Sequence, residues 1–278
     1  MTRHGADERR RGFALPGRSA EPLTLAWGAA TDTGRRREVN EDSLVVQPPV
    51  FAIADGMGGH AAGDLASAAA VDRLAGLAGR EDVDVSVIGT TLALAARDID
   101  ELAEGLPRGA GTTVTGAILD LGGEQPAFTV FNVGDSRVYL FQDEELAQIT
   151  RDHSIVQELV DAGLLSPGQA EHHPESNVVT RALGFREEPR PDYWTIPLRT
   201  GLRLLLCSDG LTRELAPASI GVHLAAGRPA DETARALVDA AVAAGGRDNV
   251  TVVVVDVLEA PEPVDGSVYN EGSTGTRG

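Results

Sequence analysis

The side chains that could carry out chemistry in this sequence are carboxylates placed where short apolar runs begin or end. Asp55 ends the apolar run 51–54, and Asp209 ends the run 204–208. Runs of this length and composition predict strands. A strand holds its end rigidly, and a neighbouring glycine lets the backbone approach a ligand closely. Six acidic residues lie at such strand ends, and Asp55, Asp135 and Asp209 are next to a glycine: Glu41, Asp42, Asp55, Asp135, Asp209 and Asp248.

This arrangement of carboxylates predicts a site for a divalent cation. Carboxylates that converge on one point repel each other and raise each other's pKa, and a cation removes that repulsion. Ligands made only of oxygen favour hard ions such as Mg²⁺ or Mn²⁺ over zinc. The single cysteine, Cys207, excludes an internal disulfide and a cysteine-built zinc site. A single Asp-Gly pair after a strand is usually only a turn, but the recurrence of carboxylates at several strand ends favours a Mg²⁺ or Mn²⁺ site.

The glycine-rich stretch 56–61 has a second interpretation. It matches the pattern G-x-G-x-x-A of dinucleotide-binding folds, and acidic residues follow it at 81–84. Asp55 would then place a carboxylate beside the pyrophosphate, where a neutral helix N-terminus is required. The strands that follow also lack the alternation with helices that such a fold needs. We therefore favour the metal site over the dinucleotide site.

The charge and composition exclude several classes of function. All 24 basic residues are arginine, against 42 acidic residues, which gives a formal charge of −18. Without lysine, the chain can form no Schiff base with pyridoxal phosphate and has no Walker-type lysine. The negative charge argues against nucleic-acid binding, which needs clustered basic side chains. His153, His172 and His173 are predicted to make surface or loop contacts, and Cys207 to pack in the core.

Apolar periodicity predicts a mixed α and β fold. Helical spacing appears in three stripes of residues: 65/68/71/74, 88/92/95/99/102 and 234/237/238/241. Several strands follow one another with short turns, which indicates antiparallel pairing. Two sheets with helices packed outside them would satisfy this order. The predicted strands are 23–30, 43–46, 50–54, 113–119, 127–132, 137–141, 203–207 and 250–257.

The two ends of the chain differ from the patterned region between them. Residues 1–22 are rich in Arg, Gly and Pro, and residues 259–278 are rich in Gly, Pro, Ser and acid. We predict that both segments are disordered and that residues 23–258 form one domain. No apolar run approaches the roughly 20 residues that span a bilayer, and residues 1–21 lack the apolar core of a secretory signal. The expected location is therefore the cytoplasm.

Eight short stretches of the sequence together form a recognisable pattern: TDTGRRREVNEDS (31–43), ADGMGGHAAG (54–63), GTT (111–113), NVGDSR (132–137), TRDHS (150–154), TRALG (180–184), SDGLT (208–212) and RDNVT (247–251). They resemble the PP2C family of metal-dependent protein phosphatases, in particular its compact bacterial Ser/Thr phosphatases. They occur in the order of the family and extend over nearly all of residues 24–257. The resemblance implies an α+β fold, a four-layer α/β/β/α sandwich of two antiparallel sheets flanked by helix pairs.

The resemblance also implies which residues bind metal. Asp135 together with Asp209 would hold a weaker third ion. Glu41 and Asp42 would hold metal-bound waters. Two core ions, Mn²⁺ or Mg²⁺, would be bound by Asp55, the carbonyl of Gly56, Asp209 and Asp248.

The same resemblance implies roles for residues outside the acidic cluster. Arg37 would grip the substrate phosphate, for which a guanidinium offers a bidentate fork that lysine lacks. His60 would be the general acid that protonates the leaving alkoxide. Residues 164–184 correspond to a flap beside the active site, in which Asn177 would lie near the third ion.

We therefore expect a phosphatase that acts on phosphoserine and phosphothreonine in proteins through a water activated by two metal ions. Its expected partners are phosphorylated proteins and a cognate bacterial Ser/Thr kinase, with no nucleic acid and no membrane span, and the chain is expected to be monomeric. A di-metal phosphodiesterase on the same fold is one alternative. A catalytically silent module that binds phosphoproteins is another.

Overall fold

Two β-sheets packed face to face form the centre of the protein in the computed structural model. The structure describes residues 1–5, 10–15, 22–58, 62–106, 109–123, 125–170 and 173–262. The first sheet has the order β1 (Arg3–His4), β4 (Asp42–Gln47), β5 (Val50–Gly58), β7 (Val114–Asp120), β8 (Ala127–Val133) and β12 (Asp192–Pro197), and β6 (Ala110–Thr112) joins the end of β5 to β11 (Leu183–Gly184). The second has the order β10 (Glu145–Gln148), β9 (Arg137–Gln142), β13 (Arg203–Cys207), β14 (Val250–Glu259), β3 (Leu23–Asp32) and β2 (Arg10–Phe13). Within the described residues, the pairs of these strands are antiparallel except β1 with β4.

Helices cover the outer faces of both sheets and complete the predicted four-layer sandwich. Within the described ranges, no helix is long and apolar enough to cross a membrane. The first sheet is covered by α1 (Ala62–Ala75) and α2 (Val85–Leu102), and the second by α6 (Pro217–Ala225) and α7 (Ala230–Ala244). Three short helices lie in connections: α3 (Ile155–Asp161), α4 (Pro167–Ala170) and α5 (Asp209–Thr212).

The alternation of side chains along the strands builds three apolar layers. On β4 and β5, Leu44 and Ile53 point into the layer between the sheets. Val45 and Ala52 point to the opposite face, against α1 and α2. All four side chains are fully buried. Burial of an aliphatic side chain of this kind contributes about 1.5–3 kcal/mol, so the period-2 pattern is enough to fix which face of each strand meets which layer.

The apolar spacing of helix α1 predicts only part of its buried face. Val71 and Leu74 of the predicted stripe are fully buried, but Leu65, its first residue, is 48% exposed. The small residues Ala66 and Ala70 are buried instead and let the helix approach β5 closely. A Cβ atom on Gly56 would lie 2.0 Å from the carbonyl oxygen of Gly63, so neither strand nor helix has room for a side chain there. Close approach to the sheet therefore decides the first turns of the buried face.

The N-terminal segment is not disordered where the structure describes it, so the prediction for residues 1–22 is wrong there. Strand β1 extends the first sheet, with the amide of Leu44 donating to the carbonyl of Thr2 at 3.0 Å. Strand β2 extends the second sheet and is followed by the buried Leu15. Short edge strands carry few apolar residues, and their stability comes from pairing with a strand that is already formed. Local composition cannot show that pairing.

The C-terminal boundary lies slightly later than predicted. Strand β14 continues to Glu259, and the amide of Ala260 donates to the side-chain oxygen of Thr200 at 3.0 Å. Residues 263–278 of the predicted tail lie outside the described residues. Strand β12 was not predicted from the sequence, and it forms by pairing with β8 over six residues.

Candidate metal centre

The acidic residues predicted from the sequence meet at one end of the space between the two sheets. On the first sheet, Asp42 lies directly opposite Asp55 in the β4–β5 pair, so both side chains point to the face that meets the second sheet. On the second sheet, Asp209 follows β13 and Asp248 precedes its neighbour β14. Asp135 lies in the turn between β8 and β9. The sandwich therefore brings together carboxylates that lie up to 206 residues apart in the chain, from Asp42 to Asp248.

Asp42 joins the two sheets within this site. One oxygen of its buried carboxylate accepts hydrogen bonds from Ser208 Oγ at 2.9 Å and from Thr251 Oγ1 at 2.6 Å. Its other oxygen, Oδ1, is buried and has no hydrogen-bond partner. A buried carboxylate oxygen without a partner is costly, and it is satisfied by a water or a cation. A metal-bound water that donates to Oδ1 of Asp42 would explain why this buried oxygen has no partner in the protein.

Burial and mutual repulsion disfavour ionisation of the clustered aspartates. Burial is the largest cause that raises the pKa of Asp42, Asp55, Asp135 and Asp209, and neighbouring carboxylates raise each of them further. The carboxylates of the other four aspartates of the cluster all add to the effect of burial and raise the pKa of Asp55: Asp42, Asp135, Asp209 and Asp248. The pKa of Asp135 reaches about 8. A set of oxygen ligands whose pKa values are raised in this way fits a divalent cation, which would restore the ionised forms.

Two arginines neutralise part of this negative charge. Arg37 donates from Nη2 to Oδ2 of Asp248 at 2.8 Å, and its Nη1 lies 4.0 Å from Glu41. Arg213 donates to the same oxygen of Asp248 at 3.2 Å and forms an ion pair with Asp209. Within the described ranges, no three His, Cys, Asp or Glu side chains are arranged around one point as metal ligands. The carboxylates are therefore brought close together, but those of Asp209 and Asp248 are turned towards guanidinium groups.

Arg213 was not predicted as a residue of the site. The sequence holds one signal that could have identified it: Arg213 follows Asp209 by four residues and lies on the same face of the short helical turn that begins there. Its second partner, Asp248, is 35 residues away and depends on the pairing of β13 with β14.

Gly56 lies where the resemblance places a carbonyl ligand, at the end of β5. Its amide donates to the carbonyl of Glu41 at 3.2 Å. The carbonyl of the preceding Asp55 accepts from the amide of Thr113 and from Thr112 Oγ1, both at 2.9 Å. The backbone on both sides of the Asp55 carboxylate is thereby fixed by hydrogen bonds to neighbouring strands.

Asn249 organises the loop that carries Arg37 and Glu41. Its side-chain oxygen accepts from the amide of Glu41 at 2.8 Å. Its amide nitrogen donates to the carbonyls of Thr33 at 2.9 Å and Val39 at 3.0 Å. Asn249 is buried, so these bonds are protected from water. This supporting role was not predicted from the residue alone.

His153 lies in the loop before α3, which fits the predicted loop position, but it is buried beside the site and not at the surface. Its Nδ1 accepts from the amide of Gly134 at 3.0 Å, and its own amide donates to the carbonyl of Gly134 at 2.9 Å. Because Nδ1 accepts, the neutral ring carries its proton on Nε2, which lies 3.1 Å from Asp192. Burial lowers the pKa of His153, in keeping with this neutral form. The residue fixes the turn that carries Asp135.

One predicted residue, Asn177, is not joined to the cluster by the structure. His60 lies outside the described residues. Asn177 is exposed, and its side-chain oxygen accepts from Ser176 Oγ at 3.3 Å. Among the hydrogen bonds of the described residues, none connects Asn177 to the clustered carboxylates.

Comparison with known proteins identifies the family of the chain. The family model described as Protein phosphatase 2C matches residues 33–244. The serine/threonine protein phosphatase PstP of Mycobacterium tuberculosis is 40% identical over 245 residues, which cover 85% of this chain and 46% of PstP. The serine/threonine phosphatase stp of Listeria innocua is 38% identical over 244 residues, which cover 81% of this chain and 93% of that protein. The chain thus spans about half the length of the mycobacterial relative.

A solved structure agrees with the sequence comparisons. The crystal structure of the catalytic domain of a serine/threonine protein phosphatase PstP, in complex with two manganese ions, superposes with a TM-score of 0.73. It is 37% identical to this chain, covering 85% of this chain and 100% of the PstP chain. The four-layer sandwich, the acidic cluster between its sheets and the extent of these matches show that the chain belongs to the protein phosphatase 2C family.

Proposed function

We propose that this protein is a metal-dependent phosphatase that hydrolyses phosphoserine and phosphothreonine in other proteins. The observation that carries the proposal is the cluster of five aspartates between the sheets with Arg37 at its edge. A phosphate anion would not approach such a cluster unless cations were bound there. The relatives named as serine/threonine phosphatases support the same substrate class.

The residues present fit divalent ions in donor type and in burial. Asp55, the carbonyl of Gly56, Asp209 and Asp248 would hold two core ions, and the manganese in the PstP structure favours Mn²⁺ over Mg²⁺. When bound, the ions supply an activated water nucleophile and neutralise the charge of the phosphoryl group. We propose that Glu41 and Asp42 orient water in this site, and that Asp135 with Asp209 supplies a weaker third position.

Arg37 would hold the substrate phosphate. Its side chain is 47% exposed, so the guanidinium is open to a ligand from solvent. The hydrogen bond to Asp248 raises its pKa, so it remains a cation at any pH at which the protein is folded. A planar guanidinium can donate two parallel hydrogen bonds to phosphoryl oxygens, which orients the phosphorus for attack.

His60 is proposed as the general acid for the leaving serine or threonine oxygen. A His60→Gln variant should lose activity on alkyl phosphates, whose leaving groups are strongly basic, more than on aryl phosphates. Equal losses on both substrates would reject the role. The flap at 164–184 is proposed to bear on substrate choice, and its Asn177 to lie near the third ion.

The function is tested by phosphate release from a phosphothreonine peptide in the presence of Mn²⁺. Asp55→Ala and Asp209→Asn should each lower kcat/KM by about 10³-fold or more, since metal sites supply most of the rate enhancement in such chemistry. Asp143→Asn, a change at an exposed turn residue with a positive φ of 52°, is the matched control and should retain activity. Circular dichroism should show that all three variants are folded.

Other outcomes of the same assay would identify the alternatives. Faster cleavage of a phosphodiester than of a phosphomonoester would favour a di-metal phosphodiesterase. No phosphate release by the wild-type protein with either Mn²⁺ or Mg²⁺ would favour a silent binding module. The cognate kinase, the monomeric state and the cytoplasmic location are proposals that a comparison of phosphoproteomes, size-exclusion chromatography and cell fractionation would test.

A further inference from the structure

Three consecutive residues, the last residue of β11 and the two that follow it, adopt left-handed backbone conformations. The φ angles are +91° at Gly184, +57° at Phe185 and +61° at Arg186. Glycine accepts this region readily, but a residue with a Cβ atom does not. Two successive non-glycine residues in this region persist only where the surrounding structure holds them. They directly follow the proposed flap, which ends at Gly184.

A hydrogen bond to α2 and a contact of the Phe185 ring hold this turn. The amide of Arg186 donates to Oδ1 of Asp100 on α2 at 2.9 Å. The ring of Phe185 lies over two glycines: a Cβ atom would be 2.1 Å from ring atom Cε2 if built on Gly111, and 3.3 Å from Cδ1 if built on Gly109. The ring thus occupies the space that a side chain on residue 111 would need. Phe185 nevertheless stays 43% exposed, so burial of apolar surface alone does not account for its position.

Gly111 lies in the strand that supports the metal centre. On one side β6 pairs with β11, with Gly111 opposite Gly184. On the other side it pairs with the end of β5, where Gly111 lies opposite Met57 and Thr112 lies opposite Gly56. Thr112 Oγ1 also donates to the carbonyl of Asp55. The three-residue strand β6 is therefore the direct support of Asp55 and Gly56.

We propose that Phe185 is a positioning residue, whose ring clamps Gly111 and holds β6 in the register that fixes Asp55 and Gly56. This inference rests on the proposed function, because it assigns importance to the position of those two residues. The strained turn places the ring, Asp100 anchors the turn to α2, and the absence of a side chain on Gly111 lets the ring reach the backbone. The clamp also joins the end of the flap to the metal centre.

Hydrogen exchange tests the clamp without relying on catalysis. In Phe185→Ala, the amides of residues 56–58 and 110–112 should exchange at least about tenfold faster than in the wild type, because loss of the ring frees β6 to open locally. Leu94→Ala removes an apolar side chain of similar exposure, 38%, from the outer side of α2 and should leave these amides unchanged. Phe185→Leu serves as a milder variant if the alanine protein is poorly folded, with the same direction of change. Unchanged exchange in these amides, or a change confined to residues 183–187, would overturn the proposal.

A double-mutant cycle tests the contact between the ring and Gly111. The methyl group of Gly111→Ala overlaps the ring, so this variant should be destabilised and should bind Mn²⁺ more weakly in titration calorimetry. In the Phe185→Ala background the space is open, so the same change should cost less stability and less affinity. Independent, additive effects of the two changes would reject the clamp. If the wild-type protein showed no phosphatase activity, the proposed function would fail, while the exchange rates would still decide whether Phe185 holds β6.

Discussion

At the scale of single residues, Arg213 changes how the acidic cluster is understood. The sequence indicated a set of carboxylates whose negative charge must be neutralised by cations, and it predicted bound metal ions for that role. The structure adds a permanent cation from the chain itself, which contacts both Asp209 and Asp248. An ion that binds these two carboxylates must compete with the guanidinium. Arg213 is therefore expected to weaken metal binding while it stabilises the arrangement of the carboxylates.

The first prediction follows from that competition. Arg213→Met keeps much of the side-chain volume and removes the charge, so Mn²⁺ should bind about tenfold more tightly, which corresponds to about 1.4 kcal/mol. Titration calorimetry measures the change directly. Arg97→Met removes an exposed arginine from α2 and should leave the affinity unchanged. Equal or weaker binding by Arg213→Met would contradict the competition.

A second prediction concerns the single cysteine. Cys207 is fully buried in β13, as predicted from the sequence, and burial raises the pKa of its thiol to about 12. A free thiol has a pKa near 8.5, and only the thiolate reacts rapidly. Because the folded pKa lies well above pH 8, the thiol should remain protonated there and react slowly with Ellman's reagent. Complete reaction in guanidinium chloride is the control, and rapid labelling of the folded protein at pH 8 would show that the thiol is accessible.

At the scale of elements, the site depends on turns and loops that are held by residues from other elements. The turn between β8 and β9 places Asp135, and it is held by His153, which precedes α3. The loop before β4 places Arg37 and Glu41, and it is held by Asn249, which precedes β14. Both His153 and Asn249 are buried. The neutral imidazole of His153 and the amide of Asn249 can each donate and accept hydrogen bonds without adding charge to the site.

The third prediction concerns His153. His153→Ala leaves the amide of Gly134 without its acceptor inside the protein, so unfolding in urea should require about 1–3 kcal/mol less free energy. Because the turn also carries Asp135, binding of any third ion should weaken more than binding of the two core ions. His223→Ala, at a partly exposed position on α6, is the control and should change stability little. A His153→Ala protein as stable as the wild type would show that the turn holds itself.

At the scale of the whole molecule, the N-terminal strands join the edges of both sheets. Strand β1 lies beside β4 at the edge of the first sheet, and β2 lies beside β3 at the edge of the second. The amide of Thr2 donates to Ser43 Oγ at 2.9 Å. Ser43 Oγ lies 3.0 Å from Ser67 Oγ, which donates to the carbonyl of Glu41. A short hydrogen-bonded chain therefore runs from the N-terminal segment to the metal centre.

The fourth prediction tests that connection. Deletion of residues 1–5 removes the two hydrogen bonds of Thr2 to β4 and should lower the stability by about 2 kcal/mol, at about 1 kcal/mol for each bond. For a protein of this size, that loss corresponds to a Tm about 4–8 °C lower in calorimetry. Thr2→Ala keeps both backbone groups and is the matched control. An unchanged Tm after the deletion would show that β1 adds nothing to the first sheet.

Much of the architecture could be predicted from the sequence because it depends on local periodicity. The strands of both sheets that carry the acidic residues were predicted, and so was the stripe of α2, of which Ile88, Leu92, Ala95 and Ile99 are buried and only Leu102 is exposed. The same reasoning failed for β12 and for the N-terminal strands, which form by pairing with strands that are distant in sequence. It also placed Leu65 on the buried face of α1, where the small residues Ala66 and Ala70 are buried instead and allow close approach to β5.

The amino-acid sequence alone determined which chemical groups are available: carboxylate oxygens at strand ends, and arginine but no lysine. It also contained the family pattern that places these groups in order along the chain. The tertiary structure decided which of these groups meet. Arg213 reaches Asp248, His153 fixes the turn of Asp135, and Phe185 covers Gly111 only because the sheets and the flap end are packed together. The physical reason is distance along the chain. Periodicity acts over a few residues, whereas charge, hydrogen bonding and steric contact act between neighbours in space.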